Sequence, residues 1–304
     1  MSSIQIVLNP SQHIYHPGDT VNGYVLVDLL KDTKVNKVSL EFDGRAHARF
    51  RNKHYRCSWS YNAEKIYLKD RLTLWKRDKI ESKKSLPNGT NKYVFSFVIP
   101  NNAPASFKGT HGYIRYKLKA KLDLHRAFNK THEIQIKVGT SINLNSSPLY
   151  TQPQFSYIHQ NGVFSSSNFT TATISIPRLA WMSGEAIPIK CNIVNNTSND
   201  ITAIEVILNK KEQFTGRKAF KHNYKLTKED IKKVDSMEAN VRISSSTSKE
   251  ILVNVFTPRN LASINNCSIM SVNYFLKIKF HTAGIFSSSL STCLPVVFSD
   301  VPVT

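Results

Sequence analysis

Arg45, His47, Arg49, Arg51 and Lys53 occupy every second position, and Ala46, Ala48 and Phe50 lie between them. Residues two apart on a β-strand share a face at about 6.6 Å spacing. A strand here would carry a row of cations at a pitch suited to successive phosphates or acidic side chains. Arg115, Lys117, Lys119 and Lys121 make a second row, alternating with Tyr116, Leu118, Ala120 and Leu122. Both rows have a plainer reading as the solvated outer faces of half-buried strands, and spacing alone leaves both readings open. Arg45, Arg49, Arg51, Lys53, Arg115, Lys117, Lys119 and Lys121 are the candidate partner- or phosphate-binding residues.

Other chemistry is hard to find. The chain has no nucleophile elbow, no P-loop and no G-x-G-x-x-G after a strand. His132-Glu133 lacks a second histidine at metalloprotease spacing, and no Cys or acid cluster accompanies His13 and His16. Acids are scattered, so no general acid–base pair stands out. Cys57 follows Arg56, which could lower its pKa and support redox chemistry; an ordinary free cysteine is the plainer reading. Cys191 and Cys267 could bridge two sheets, but buried free thiols fit better, because the first half offers only Cys57. The expectation is a non-enzyme, with no catalytic residues, no metal and no cofactor.

The elements that would position the basic rows are strands. Val21, Val25 and Val27, then Val38, Leu40 and Phe42, then Tyr93, Phe95, Phe97 and Ile99 each fall on alternate positions. Leu86-Pro87-Asn88-Gly89 turns into the third of these, and Pro100 and Pro104 stop it. Period-two patterns resume at residues 171–176, 187–194, 201–208, 250–256, 271–280 and 293–298. One segment reads otherwise: Thr227-Lys228-Glu229-Asp230 predicts a short helix or ordered loop, with Thr227 as N-cap. A weak repeat is also visible. Tyr15-His16-Pro17-Gly18-Asp19 and Trp181-Met182-Ser183-Gly184-Glu185 both set an aromatic residue, a glycine turn and an acid before a strand.

These patterns predict an all-β protein of two related β-sandwich domains in tandem, joined by a linker. Residues 1–142 form the first domain, 143–168 a Ser-, Asn- and Pro-rich linker, and 169–304 the second domain. A chain of 304 residues suits that division, and 40% hydrophobic content with 20% charge is globular. The net charge of +20 favours acidic partners: nucleic acid, anionic lipid or phosphorylated protein. No zinc finger, RNP motif or helix-turn-helix supports nucleic acid, which is not expected as a partner. No secretory signal and no long apolar run is present, so a cytoplasmic protein with reduced thiols is expected. The Asn-x-Ser/Thr triplets, such as Asn88-Gly89-Thr90, then read as chance matches.

A long ordered set of residues carries a family resemblance. It includes Tyr15-x-Pro17-Gly18-Asp19-x-Val21-x-Gly23, Gly44-x-Ala46 and Leu86-Pro87-x-Gly89. It continues through Tyr93-x-Phe95-x-Phe97, Pro104-x-Ser106-Phe107-x-Gly109 and Gly112-x-Ile114-Arg115-Tyr116. In the second half it includes Ser183-Gly184-Glu185-x-Ile187, Asn195-Asn196-Thr197-Ser198, Asn266-Cys267-Ser268-Ile269 and Leu294-Pro295. The chain resembles the arrestin-domain-containing proteins, or α-arrestins, over nearly its whole length. The resemblance implies two tandem immunoglobulin-like, arrestin-type β-sandwich domains joined by a hinge, and a non-enzymatic cytosolic adaptor. Such an adaptor binds cytoplasmic regions of membrane proteins and directs their endocytosis, trafficking or ubiquitination. It implies as partners the cytoplasmic tails of transmembrane proteins, phosphorylated ones included, with anionic membrane lipid as a further candidate. The location implied is cytoplasmic and peripheral at the plasma membrane or endosomes. The alternative is a structural sorting or coat subunit of a retromer-like complex. Many α-arrestins dock a ubiquitin ligase through Pro-Pro-x-Tyr; this chain has no Pro-Pro pair, only the half match Ser147-Pro148-Leu149-Tyr150, so ligase docking is not expected of it. Trp181-Met182-Ser183 departs from the family's usual proline-bearing approach to the second turn.

Overall fold

A computed structural model describes residues 2–10, 14–54, 57–77, 85–140, 142, 147–161, 168–218, 221–283 and 290–300. The chain divides into two compact units, each almost wholly β. The first comprises Met1–Ser141 with Phe214–Lys228 and Asn266–Met270. The second comprises Ile142–Gln213, Glu229–Asn265 and Ser271–Thr304.

Unit 1 begins with β1 (Ser3–Leu8), β2 (Thr20–Leu29), β3 (Val35–His54) and β4 (Cys57–Lys76). It continues with β5 (Gly89–Val98), β6 (Phe107–Lys108), β7 (Gly112–Leu124) and β8 (Lys130–Ile136). One sheet has the order β1-β2-β5; the other sets β4, β3 and β7 side by side, with β6 and β8 both pairing β7. All these pairings are antiparallel. The alternation seen in the sequence sorts the two faces. Val21, Val25 and Val27 from one sheet, and Leu40, Phe42, Tyr116 and Leu118 from the other, are buried. Phe42 and Phe97 join the layers through an edge-to-face contact, ring centroids 5.3 Å apart. The pairing of β3 with β4 shifts register between Gly44 and Arg45, where Tyr67 is the extra residue on β4. Such a bulge bends the strand and re-aims the side chains beside it.

Unit 2 has a 3-10 turn at Pro148–Tyr150 near its start. It holds β9 (Gln154–Asn161), β10 (Phe169–Ile176), β11 (Ala180–Met182), β12 (Ala186–Asn196) and β13 (Ile201–Lys218). Then come β14 (Lys221–Ile243), β15 (Thr247–Phe256), β16 (Met270–Thr282) and β17 (Leu290–Ser299). One sheet has the order β15-β12-β10-β9, and β11, β17, β16 and β13 lie side by side in another. The last residues of β13 and the first of β14 fall in unit 1, where Arg217 and Lys218 pair Asn62 and Tyr61 of β4.

The weak repeat is a real structural repeat. Asp19 Oδ2 accepts from the backbone N–H of His16 at 2.7 Å, and Glu185 Oε2 from that of Met182 at 2.8 Å. Gly18 and Gly184 both take left-handed backbone, φ 92° and 95°. Glycine and acid therefore recur because the same turn needs one positive φ and one acceptor for an otherwise orphaned N–H.

Two expectations are corrected. The helix read at 227–234 is part of strand β14. Cross-strand side chains hold it there: Lys211 bonds Glu229 at 2.8 Å and Thr215 meets Thr227 at 2.9 Å. A long hairpin thus outweighs a local cap, and the Thr227 hydroxyl is spent on the strand partner. Within the segment read as a linker, residues 154–161 form β9 and pair β10 along their length. Residues 143–146 and 162–167 of that segment lie outside the described residues, as do His13 and Arg56.

Candidate functional site

The two basic rows belong to one surface. β3 and β7 are direct neighbours, and the register sets Arg45 opposite Arg115, Asp43 opposite Lys117, Glu41 opposite Lys119 and Ser39 opposite Lys121. The core-facing partners Ala46, Ala48, Phe50, Ile114, Tyr116, Leu118 and Ala120 are all buried, so the charged side chains point outward together.

The surface is not a continuous positive ladder. Arg45, next to the bulge, donates Nε and Nη2 to Asp43 and Nη1 to Glu64, each at 2.7 Å. The hydrogen bonds to Asp43, chiefly, and to Glu64 outweigh partial burial and raise its pKa above the ordinary arginine value. Lys117 pairs Glu133 of β8, and Arg71 pairs Glu41 at 2.7 Å. Acids therefore neutralise the middle of the face. Lys119 and Lys121 are exposed further along β7.

Away from these pairs, cations gather in two places. At one, Arg115 lies between two cavities. A cavity of about 200 Å³ is lined by Asp43, Arg45, Tyr113, Arg115 and Lys117. A second, of about 300 Å³, is lined by Ser106, Phe107, Lys108, Ile114, Arg115, Gln135, Ile136 and Lys137. The second opens where β8 stops and β6 begins along one edge of β7: Ile136 pairs Tyr116, and Phe107 pairs Ile114. Its walls are tied. Ser106 N–H donates to Val138 O at 2.8 Å, Val138 N–H donates to Ser106 Oγ at 2.9 Å, and Gly109 N–H donates to Gly112 O at 2.9 Å. The Arg115 guanidinium stands over the Tyr113 ring at 4.5 Å, and the His47 ring stacks on Tyr113 with centroids 5.4 Å apart. Three cations, an amide and no carboxylate line this cavity, an arrangement that can hold an anion and lacks a general acid–base pair.

Lys108 and Lys137 were not among the sequence-predicted residues. Lys137 continues the outward phase of Gln135, but only the crossing of β6 and β8 at one edge reveals that it meets Lys108 and Arg115. The second place is the far end of the β3–β4 hairpin, where Arg49, Arg51 and Lys53 face Asn62, Ser60 and Ser58.

The remaining candidates are placed simply. Cys57 is an exposed free thiol at the start of β4, and Cys191 and Cys267 are buried free thiols. Burial pushes the Cys191 thiol up to about 12. Ser147-Pro148-Leu149-Tyr150 forms the 3-10 turn, with Ser147 capping it through a hydrogen bond from Leu149 N–H. Among the described residues no group of three or more His, Cys, Asp or Glu side chains could hold a metal ion. No helix among them is long and apolar enough to cross a membrane.

Comparison with known proteins agrees with this architecture. Residues 4–145 match the family model "Arrestin (or S-antigen), N-terminal domain", and residues 166–303 match "Arrestin (or S-antigen), C-terminal domain". The chain is similar to Arrestin domain-containing protein 17 of Caenorhabditis elegans, 24% identical across 99% of this chain and 71% of that protein. It is 27% identical to Arrestin domain-containing protein 4 of Mus musculus, across 96% of this chain and 70% of that protein. It is 22% identical to Arrestin domain-containing protein 1 of Homo sapiens, across 98% of this chain and 64% of that protein. Matched in order by both domain models and by these relatives along nearly its full length, the chain belongs to the arrestin-domain-containing family.

Proposed function

We propose that this chain is a non-enzymatic adaptor that binds acidic cytoplasmic regions of transmembrane proteins, phosphorylated ones above all, and directs their endocytosis, trafficking or ubiquitination. Arrestin-family proteins are generally adaptors, and this chain belongs to that family. The observation that carries the reading is the carboxylate-free cavity with Lys108, Arg115 and Lys137 on its walls. A phosphate monoester carries about −1.5 to −2 charges and three acceptor oxygens. Arg115 supplies planar paired donors, the lysines supply mobile point charges, and the neighbouring cavity extends the contact toward Lys117. The reading places the protein in the cytoplasm, at the plasma membrane or endosomes.

The test is binding of a phosphorylated acidic tail peptide, followed by fluorescence anisotropy. Arg115→Gln should weaken it about tenfold or more, as should Lys108→Gln combined with Lys137→Gln, since a charge-assisted bond contributes about 1.5–3 kcal/mol. Unchanged affinity in both variants removes the cavity from the account.

A second reading, a stable subunit of a sorting coat, is favoured by β15. This strand ends its sheet, and Leu252 and Phe256 on it are exposed. Recovery of the chain in a stoichiometric complex through that edge would support it.

A further inference from the structure

The β3–β4 hairpin continues past the core of unit 1. Phe50 and Tyr61 stack with ring centroids 5.5 Å apart and are the last buried side chains along it. Beyond them Arg51, Asn52, Lys53, Cys57, Ser58 and Trp59 are exposed and Ser60 is half-buried. One face carries Arg49, Arg51 and Lys53, whose cross-strand partners Asn62, Ser60 and Ser58 are neutral. β13 adds Arg217, which pairs the same Asn62 from the other side. Among the described residues, none of these four cations forms an ion pair, whereas Arg45, Arg71 and Lys117 of the same sheet all do. The other face of the hairpin carries Trp59, 43% exposed, with Lys218 Nζ 3.3 Å from its ring centroid. The result is an arm with cations on both faces and a half-exposed indole near its end.

We propose that this arm docks the protein on an acidic lipid surface, with Arg49, Arg51, Lys53 and Arg217 among headgroup phosphates and Trp59 at the interface. Three features favour lipid over an acidic peptide. The cations repeat at about 6.6 Å along an open strand surface, a spacing that laterally mobile headgroups can match without a fixed register. Arg49, Arg51 and Lys53 on one face and Lys218 over Trp59 on the other all reach anions when the arm enters a headgroup layer end-on; a peptide strand would lie against one face. An exposed tryptophan beside them is the side chain that partitions to the membrane–water boundary. Each arginine or lysine near an acidic leaflet strengthens binding about fivefold. The inference goes beyond tail recognition and is independent of it, because neither Arg115 nor the cavities take part.

The purified chain is sedimented with phosphatidylcholine vesicles and with phosphatidylcholine–phosphatidylserine vesicles, with no peptide present. Binding to the acidic vesicles should exceed binding to neutral ones at least tenfold. The combined variant R49Q/R51Q/K53Q/R217Q should lose at least tenfold in that binding, while K190Q/K249Q, on the exposed faces of β12 and β15, should stay within about threefold of the parent chain. Arg51→Glu with Lys53→Glu, both beyond the core, gives a second variant should the fourfold change disturb folding, and it should lose a comparable amount. Trp59 fluorescence should shift to the blue on acidic vesicles. Equal binding to both vesicle types, or arm variants that bind as the parent does, overturns the proposal. So does loss of acidic-peptide binding with vesicle binding intact, which would make the arm a peptide surface.

Discussion

At the scale of single residues, the two matching turns show how much one hydrogen bond decides. Asp19 and Glu185 each accept a backbone N–H in the turn just before β2 and β12. Asp19→Ala or Glu185→Ala should lower stability by about 1–2 kcal/mol, read from chemical denaturation, since the N–H loses its acceptor. Gly44 is constrained by space instead: an added Cβ would lie 2.6 Å from Cδ1 of the Tyr116 ring. Gly44→Ala should cost about 1–3 kcal/mol by overpacking and disturb the bulge beside Arg45. Thiol reactivity should divide by burial. Cys57 and Cys293 should label in the native state, and Cys191 and Cys267 only on unfolding. A pH effect belongs here too. The hydrogen bond from Lys279, and then that from His281, hold Glu205 below its ordinary carboxylate pKa against partial burial. A depressed carboxylate pKa adds stability above the unfolded-state value, and that stability fades as pH falls through the folded value. Glu205→Gln should therefore lower Tm at neutral pH and leave it nearly unchanged well below the carboxylate range.

At the scale of elements, period-two alternation carried the reading a long way. Strands, buried faces and the outward direction of the basic residues all follow from it, because one-sided burial in an antiparallel sheet imposes that period. What alternation does not encode is pairing. Arg45 reads as one rung of a ladder, and only the register shift at Gly44 and the arrival of Glu64 from β4 turn it into the centre of an ion-pair lattice. Lys108 and Lys137 stayed hidden because their meeting depends on two strands sharing one edge of β7. Thr227 misled because capping chemistry is local, whereas its actual partner Thr215 is across a hairpin. The same hairpin strand holds Glu212, 1% exposed and paired to Lys210 at 2.7 Å. Glu212→Ala removes a charge-assisted bond from a buried carboxylate to the part-exposed Lys210 and should destabilise by roughly 1.5–3 kcal/mol in denaturant titration.

At the scale of the whole molecule, a net charge of +20 says little until its neutralised part is subtracted. Carboxylates hold the centre of the β3–β7 face, while further cations line the Arg115 cavities and the hairpin arm. Fold and family membership were legible from spacing and ordered motifs, because turns and core faces constrain residue type at fixed positions. The geometry of the Arg115 cavities was only half legible, because it is assembled from residues distant in sequence. The central claim is that this protein grips acidic tails through charge focused at Arg115. The measurement that bears on it most directly is the affinity of one tail peptide, phosphorylated and unphosphorylated, across a salt series. The account predicts that phosphorylation tightens binding at least tenfold, and that rising salt erodes this difference as the Debye length falls from about 10 Å at 0.1 M to about 3 Å at 1 M. Equal affinity for the two peptides, or binding indifferent to salt, would contradict it.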